Sequence, residues 1–119
     1  MKVGLCESML YAHKAGLDVE EFLGAISGGA AGSKSLDLYS ARILQRDMAP
    51  GFMAEHFVKD LGIALAECQR MRLSLPGLAL AQSLYLGVLA QGNGRCGTQA
   101  LIMALEGMNG EVLPTKGEA

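Results

Sequence analysis

Phe57, Leu61, Ala64, Cys68 and Met71 recur at spacings of four, three, four and three residues within AEHFVKDLGIALAECQRMR. Such spacing draws an apolar seam along an α-helix packed on another helix, and a strand, whose faces alternate every second residue, cannot reproduce it. Helical periodicity of this kind runs through almost the whole chain, and β-branched residues are scarce. The prediction is an all-α fold of about six helices, with the Phe57–Met71 helix central to the core. A length of 119 residues supplies one core, so a single domain is expected.

The element boundaries follow from local chemistry. A first helix over Val3 to Ala15 stops at Gly16, a residue suited to the left-handed position after a helix. Asp18, with Glu21 three residues on, starts a second helix carrying Phe22, Leu23 and Ile26, which ends in Gly28-Gly29. Ser33 or Ser35 caps a third helix that buries Leu36, Tyr39, Ile43 and Leu44. MAPGF is a turn, the fourth helix covers Ala54 to Arg72, and Pro76 opens a fifth that ends at Gly92. Thr98 is expected to cap a last short helix with Leu101, Ile102 and Leu105. Residues 1–110 then form the domain, and 111–119, which lack any period, a flexible tail.

Half of the residues are hydrophobic, so there is ample material for a core. The net charge is −2 and the basic residues are scattered, which argues against a nucleic-acid partner. Cys6, Cys68 and Cys96 are an odd, widely separated set that fits free thiols in a reducing compartment. His13 and His56 stand alone, so no metal site is expected. No run approaches the ~20 apolar residues of a membrane span, and the opening residues lack the apolar stretch of a signal peptide. A cytoplasmic protein without membrane contact is the expectation.

Two glycine-rich stretches resemble phosphate-binding motifs. ISGGAAGSKS lies near G-x-x-x-x-G-K-[ST], but Ser33 stands where the second glycine belongs and the segment leaves a helix rather than a strand. GNGRCG matches G-x-G-x-x-G at Gly92, Gly94 and Gly97, yet helical residues precede it and no sheet is predicted. Both read as helix stops followed by turns, and no response to Mg-ATP is expected.

The order of segments carries more. CESMLYAHKAGLDVEEFLGAISGGAAGSKSL followed by LQRDMAPGFMAEHFVKDLGIALAECQRMRLSLPGLALAQSLYLGVLAQGNG resembles the all-helical C-terminal domain of the β-hydroxyacid dehydrogenases. This family includes 3-hydroxyisobutyrate dehydrogenase, tartronate semialdehyde reductase and glyoxylate/succinic semialdehyde reductases. The resemblance runs from about Gly4 to Leu105, and its most specific pieces are AGLD, ISGGAAGS, PGF, HFVKDLGIAL and LPG. It implies a domain of the 6-phosphogluconate dehydrogenase-like type on the substrate side of an NAD- or NADP-dependent oxidoreductase that acts on a small hydroxy acid or aldehyde acid.

Read from the residues alone, Gly28, Gly29 and Gly32 are loop formers and Lys59 is a solvated lysine pointing away from the seam. The resemblance implies further roles. Ser27, Gly28, Gly29 and Ser33 would belong to a loop on the substrate side of the cleft, and Lys59 and Phe57 would lie beside the cofactor, with Asp60 orienting the Lys59 helix or capping a neighbouring segment. The family's catalytic lysine and its N-terminal Rossmann domain lie upstream of the segments matched here, and neither Lys2 nor Lys14 sits in the family's G-x-x-G-x-G-x-x-x-K pattern. The resemblance therefore implies NAD or NADP in the full-length parent, no cofactor bound to this chain alone, and no activity of this chain alone.

An alternative reading is a stand-alone helical dimerisation or interaction module without catalysis. A homodimer or higher homo-oligomer is expected under both readings, because the apolar positions Val3, Leu5 and Met9 of the first helix need a partner.

Overall fold

The computed structural model describes residues 2–115. Among them the chain forms α1 (Lys2–Lys14), α2 (Val19–Ser27), α3 (Lys34–Leu44), α4 (Ala54–Met71), α5 (Pro76–Ala90) and α6 (Leu101–Asn109), with a 3₁₀ turn at Thr98–Ala100 and no strand. The all-α prediction holds, and most helix ends fall where local chemistry puts them. Gly16 and Gly92 take φ values of 85° and 83° just after α1 and α5, a conformation that costs a residue with a Cβ. The Asp18 carboxylate accepts the Glu21 N–H at 2.9 Å, and the Ser33 hydroxyl accepts the Leu36 N–H at 3.0 Å. Ser33, and not Ser35, is thus the cap of α3.

Thr98 does not cap α6. It is 4% exposed at the head of the 3₁₀ turn, and no side-chain bond caps that turn. Its carbonyl is instead taken by the buried Tyr85 hydroxyl at 2.8 Å.

The centre of the molecule is the pair α1 and α6. Cys6, Met9 and Ala12 of α1 and Leu101 and Ile102 of α6 are fully enclosed, each large side chain contributing about 1.5–3 kcal/mol of transfer free energy. Helices α2 and α3 pack on another side of α1, while α5 packs on α6. Gly87 of α5 keeps that approach close: a Cβ there would stand 3.8 Å from the Ala104 side chain.

This arrangement corrects three expectations. Helix α4 is peripheral, with Met71 at 55% exposure, because it packs chiefly along α5 and has no helix layer beyond it. The first helix does not need a second chain to cover Leu5 and Met9, which are 6% and 0% exposed because α6, α2 and α3 surround α1. The segment expected to be a tail lacks helix, yet Leu113 is buried at 2% and its N–H donates to the Glu106 carboxylate at 2.7 Å. Residues 116–119 of that segment lie outside the described residues.

Candidate functional site

The α2–α3 loop is built by two backbone turns. Gly29 N–H donates to the Ile26 carbonyl at 3.1 Å and Gly32 N–H to the Gly29 carbonyl at 3.0 Å. The chain folds back so tightly that a Cβ on Gly32 would stand 2.2 Å from the Ser27 carbonyl oxygen. Gly28 has open space where a Cβ would be, and Gly29 meets only the Ile26 carbonyl at 3.7 Å. One glycine thus closes the loop, and two others leave its backbone bare to whatever approaches. Ser27, Gly28, Gly29 and Ser33 are all exposed, with the Ser27 hydroxyl donating to the Gly24 carbonyl at 3.2 Å.

Phe57 is half-buried and meets Tyr85 edge to face, with ring centroids 4.9 Å apart. It lines an apolar groove of about 300 Å³ together with Lys2, Val3, Ser35, Leu78 and Ala81. A second cavity of about 320 Å³ takes in Ser33, Ala31, Ile26, Gly4 and Leu5. The first turns of α1 therefore stand between the glycine loop on one flank and the Phe57 groove on the other. Lys59 is exposed, has no ion pair with a carboxylate among the described residues, and lines neither cavity. The structure brings the loop and Phe57 to the same end of α1, and it does not bring Lys59 and Phe57 into one cavity.

Sequence reasoning missed the polar features that fix this end of the molecule. The Gln99 amide, 1% exposed, donates to the carbonyls of Asp47 and Ala49, each at 3.0 Å, and so holds the chain leading into α4. A lone glutamine among apolar residues is the one signal in the sequence. Lys2 places its ammonium 4.0 Å from the centroid of the Tyr39 ring, a cation–π contact that ties the start of α1 to α3. Burial pushes the Tyr85 phenol well above its ordinary range and the Cys6 thiol up to about 12, so both are neutral hydrogen-bonding or packing groups at physiological pH.

In GNGRCG the N–H groups of Asn93, Cys96 and Gly97 are spent on the carbonyls of Val88, Asn93 and Met48. The loop acts in the opposite sense: the carbonyls of Gly94 and Cys96 accept from Glu55 and Ala54, both at 2.9 Å, and so close the start of α4. Among the described residues, no group of three His, Cys, Asp or Glu side chains is placed to hold a metal ion. No helix there is long and apolar enough to cross a membrane.

This all-helical chain, with a glycine loop and an aromatic groove flanking one helix end, has relatives among known oxidoreductases. The profile of the family described as "NAD-binding of NADP-dependent 3-hydroxyisobutyrate dehydrogenase" matches residues 2–105, and the chain belongs to this family. The probable 3-hydroxyisobutyrate dehydrogenase-like 1, mitochondrial, of Arabidopsis thaliana is 68% identical over 107 residues, covering 90% of this chain and 32% of that protein. The 2-hydroxy-3-oxopropionate reductase of Escherichia coli is 36% identical over 100 residues, covering 84% and 34%. A crystal structure of 3-hydroxyisobutyrate dehydrogenase from Salmonella typhimurium shares the fold with a TM-score of 0.80 at 22% identity, covering 86% of this chain and 36% of that one. The chain spans about a third of the length of these relatives.

Proposed function

We propose that this domain is the substrate-side part of an NAD- or NADP-dependent oxidoreductase acting on a small hydroxy acid or the corresponding aldehyde acid. The observation that carries the reading is the bare backbone of Gly28 and Gly29, in a loop closed at Gly32 whose Ala31 and Ser33 share a cavity with Gly4 and Leu5 of α1. Backbone without side chains lets a small polar substrate come within hydrogen-bonding range of peptide groups. The nicotinamide of a bound cofactor supplies or accepts the hydride, while the protein orients and excludes water.

The residues fit such a ligand as two separate contacts. Phe57, in its apolar groove against Tyr85, offers an aromatic wall. Lys59 is an exposed cation suited to a phosphate or carboxylate group. The two leave α4 in different directions, so they serve different parts of an extended molecule. Neither supplies the reacting base, and this chain alone is inactive and binds no cofactor in this reading, with a Rossmann domain supplying the rest in the parent protein. The three thiols support a reducing cytoplasmic setting; the Arabidopsis relative is named as mitochondrial, and fractionation of source cells decides between the two.

The parent is also read as a homodimer or higher homo-oligomer. Support comes from α5, a helix with no charged residue whose Leu80 and Leu86 are 56% and 48% exposed.

The test is steady-state kinetics on the full-length parent with Lys59→Ala and Gly29→Ala. Lys59→Ala should raise KM for the nicotinamide cofactor by roughly tenfold, and Gly29→Ala should raise KM for the acid by a similar factor, with melting temperature unchanged in both. Wild-type kinetics in both variants would remove these residues from the site.

A further inference from the structure

The groove beside Phe57 carries a single charge, and it is positive. Its walls come from α1, α3, α4 and α5, and most of them are apolar: Val3, Leu61, Leu78, Ala81 and the rings of Phe57 and Tyr85. The Tyr85 hydroxyl is already spent on the Thr98 carbonyl. Two polar side chains remain, Lys2 and Ser35, and no carboxylate among the described residues lines the groove. The cavity beside Leu10 differs, with Glu7 and Glu111 next to Lys14, as does the one between α2 and α3, with Glu20 and Asp37.

Lys2 and Ser35 stand at one end of the groove. The Lys2 ammonium lies 4.0 Å from the centroid of the Tyr39 ring, and Ser35 precedes Tyr39 by one turn on the same face of α3. The Arg42 guanidinium approaches that ring too, at 5.7 Å. Two cations thus share one ring, and neither has a carboxylate partner among the described residues. The ring fixes the ammonium in place without supplying an acceptor for all of its N–H groups. The Ser35 hydroxyl makes no hydrogen bond among the described residues. Lys2 is half-buried, so water and salt screen its charge less than that of an exposed lysine.

We infer that this groove binds a small carboxylate with a hydrocarbon body. The carboxylate lies between the Lys2 ammonium and the Ser35 hydroxyl, and the hydrocarbon runs along Phe57, Leu78 and Ala81. Lys2 supplies charge-assisted bonds, and Arg42 adds positive potential at longer range. A volume of about 300 Å³ is at the small end for a ligand pocket and fits a body of a few carbons. A polyhydroxy acid is disfavoured, because the apolar stretch would bury its hydroxyls without partners. The site goes beyond the function proposed above, which uses Phe57 only as an aromatic wall and gives the substrate to the glycine loop on the other flank of α1. Wild-type kinetics in Lys59→Ala and Gly29→Ala would leave this site standing, and an empty groove would leave that function standing.

Hexanoate, hexan-1-ol and acetate test it, each titrated into the isotope-labelled 119-residue chain at neutral pH and fixed ionic strength, with binding read by NMR. Hexanoate should bind saturably, with nuclear Overhauser contacts from its methylenes to the Phe57 ring and Leu78. It should bind about fivefold or more tightly than the other two, since the alcohol lacks the charge and acetate lacks the body. Lys2→Met keeps an unbranched side chain and should bring hexanoate to within about twofold of hexanol, whereas Lys2→Arg should retain the preference. The ratio of two probes on one variant is insensitive to a general loosening of the groove, so a structural effect of the substitution does not imitate the result. No saturable response to hexanoate would overturn the site. Saturable binding without contacts to Phe57 and Leu78 would put the acid elsewhere and overturn it as well. A preference for the acid that survives Lys2→Met would overturn the assignment of the carboxylate to Lys2.

Discussion

Arg46 and Glu106, sixty residues apart in the chain, meet at 2.7 Å with the carboxylate 5% exposed. The Glu106 oxygen that receives the guanidinium also receives the Leu113 N–H at 2.7 Å. One buried carboxylate thus ties the end of α3 and the segment after α6 to the core. The positive φ of Arg46, 56°, closes α3, with the N–H groups of Arg46 and Asp47 returning to the carbonyls of Ile43 and Arg42.

Removing this carboxylate should be expensive. Glu106→Ala strands a guanidinium and a buried N–H together, and we expect a loss of about 2–4 kcal/mol in urea-induced unfolding. Glu106→Gln keeps an acceptor for Leu113 and should lose about half as much. In hydrogen exchange, the Leu113 amide should lose protection in the alanine variant and keep most of it in the glutamine variant.

Gln99 holds the entry to α4 through two carbonyls, and Gly97 lies against it. Gln99→Leu leaves the Asp47 and Ala49 carbonyls without their donor and should cost about 2–3 kcal/mol. A Cβ at residue 97 would stand 2.3 Å from the Gln99 amide oxygen and 2.9 Å from the Ala49 carbonyl. Gly97→Ala should therefore destabilise by a similar amount. Thermal denaturation of both variants checks this.

Within the glycine loop the effect of an added methyl on stability should depend on position. Gly32→Ala forces a Cβ into the Ser27 carbonyl and should lower the melting temperature. Gly29→Ala, whose Cβ meets only ordinary contact, should leave it within a degree or two. Equal effects at the two positions would contradict the loop geometry.

Alkaline pH should weaken the fold through Cys6. Its thiol ionises at its ordinary 9.0 in the unfolded chain and near 12 in the folded one, because burial disfavours the thiolate. Between those values the folded state holds the proton and the unfolded state has lost it. Stability is thus complete below pH about 9 and falls as pH rises toward 12, by about 1.4 kcal/mol per pH unit from this group. Cys6→Ala should flatten that slope in denaturant titrations at pH 9–11, and the wild-type Cys6 should be the last thiol labelled by a disulfide reagent.

At acid pH the Glu111 carboxyl should titrate below its ordinary 4.5, because Lys14 hydrogen-bonds it, with His13 adding a weaker pull. Its contribution to stability is present above that value and lost as pH falls through the lowered midpoint. Carbon-detected NMR should find the midpoint, and Lys14→Ala should move it back up.

Much of this fold was legible from helical spacing and from stop and start residues. Gly16, Asp18, Pro76 and Gly92 act within one turn of themselves, so one sequence suffices to read them. What eluded the sequence acts across distance: Glu106 with Arg46, Gln99 with residues 47–49, Tyr85 with Thr98. The seam of α4 was read correctly as helical but misread as central, because periodicity tells which side of a helix is apolar and not how many layers lie beyond it. The burial of Leu113 was invisible for a related reason, since a single apolar residue has no period. For the candidate site, Ser27, Gly28, Gly29 and Ser33 came from resemblance, and the geometry distinguishes Gly32 as the closure and Gly28 and Gly29 as the open edge.

The loop that stoppers α4 also bears on the order of assembly. The first N–H groups of that helix wait for carbonyls about forty residues further along the chain, so α4 stays frayed at its head until α5 has turned back and delivered Gly94 and Cys96. On the ribosome, a nascent chain that has emerged only through α5 would hold a half-finished hairpin, and completion of α4 and of the loop that closes it would arrive together as a late, non-local event.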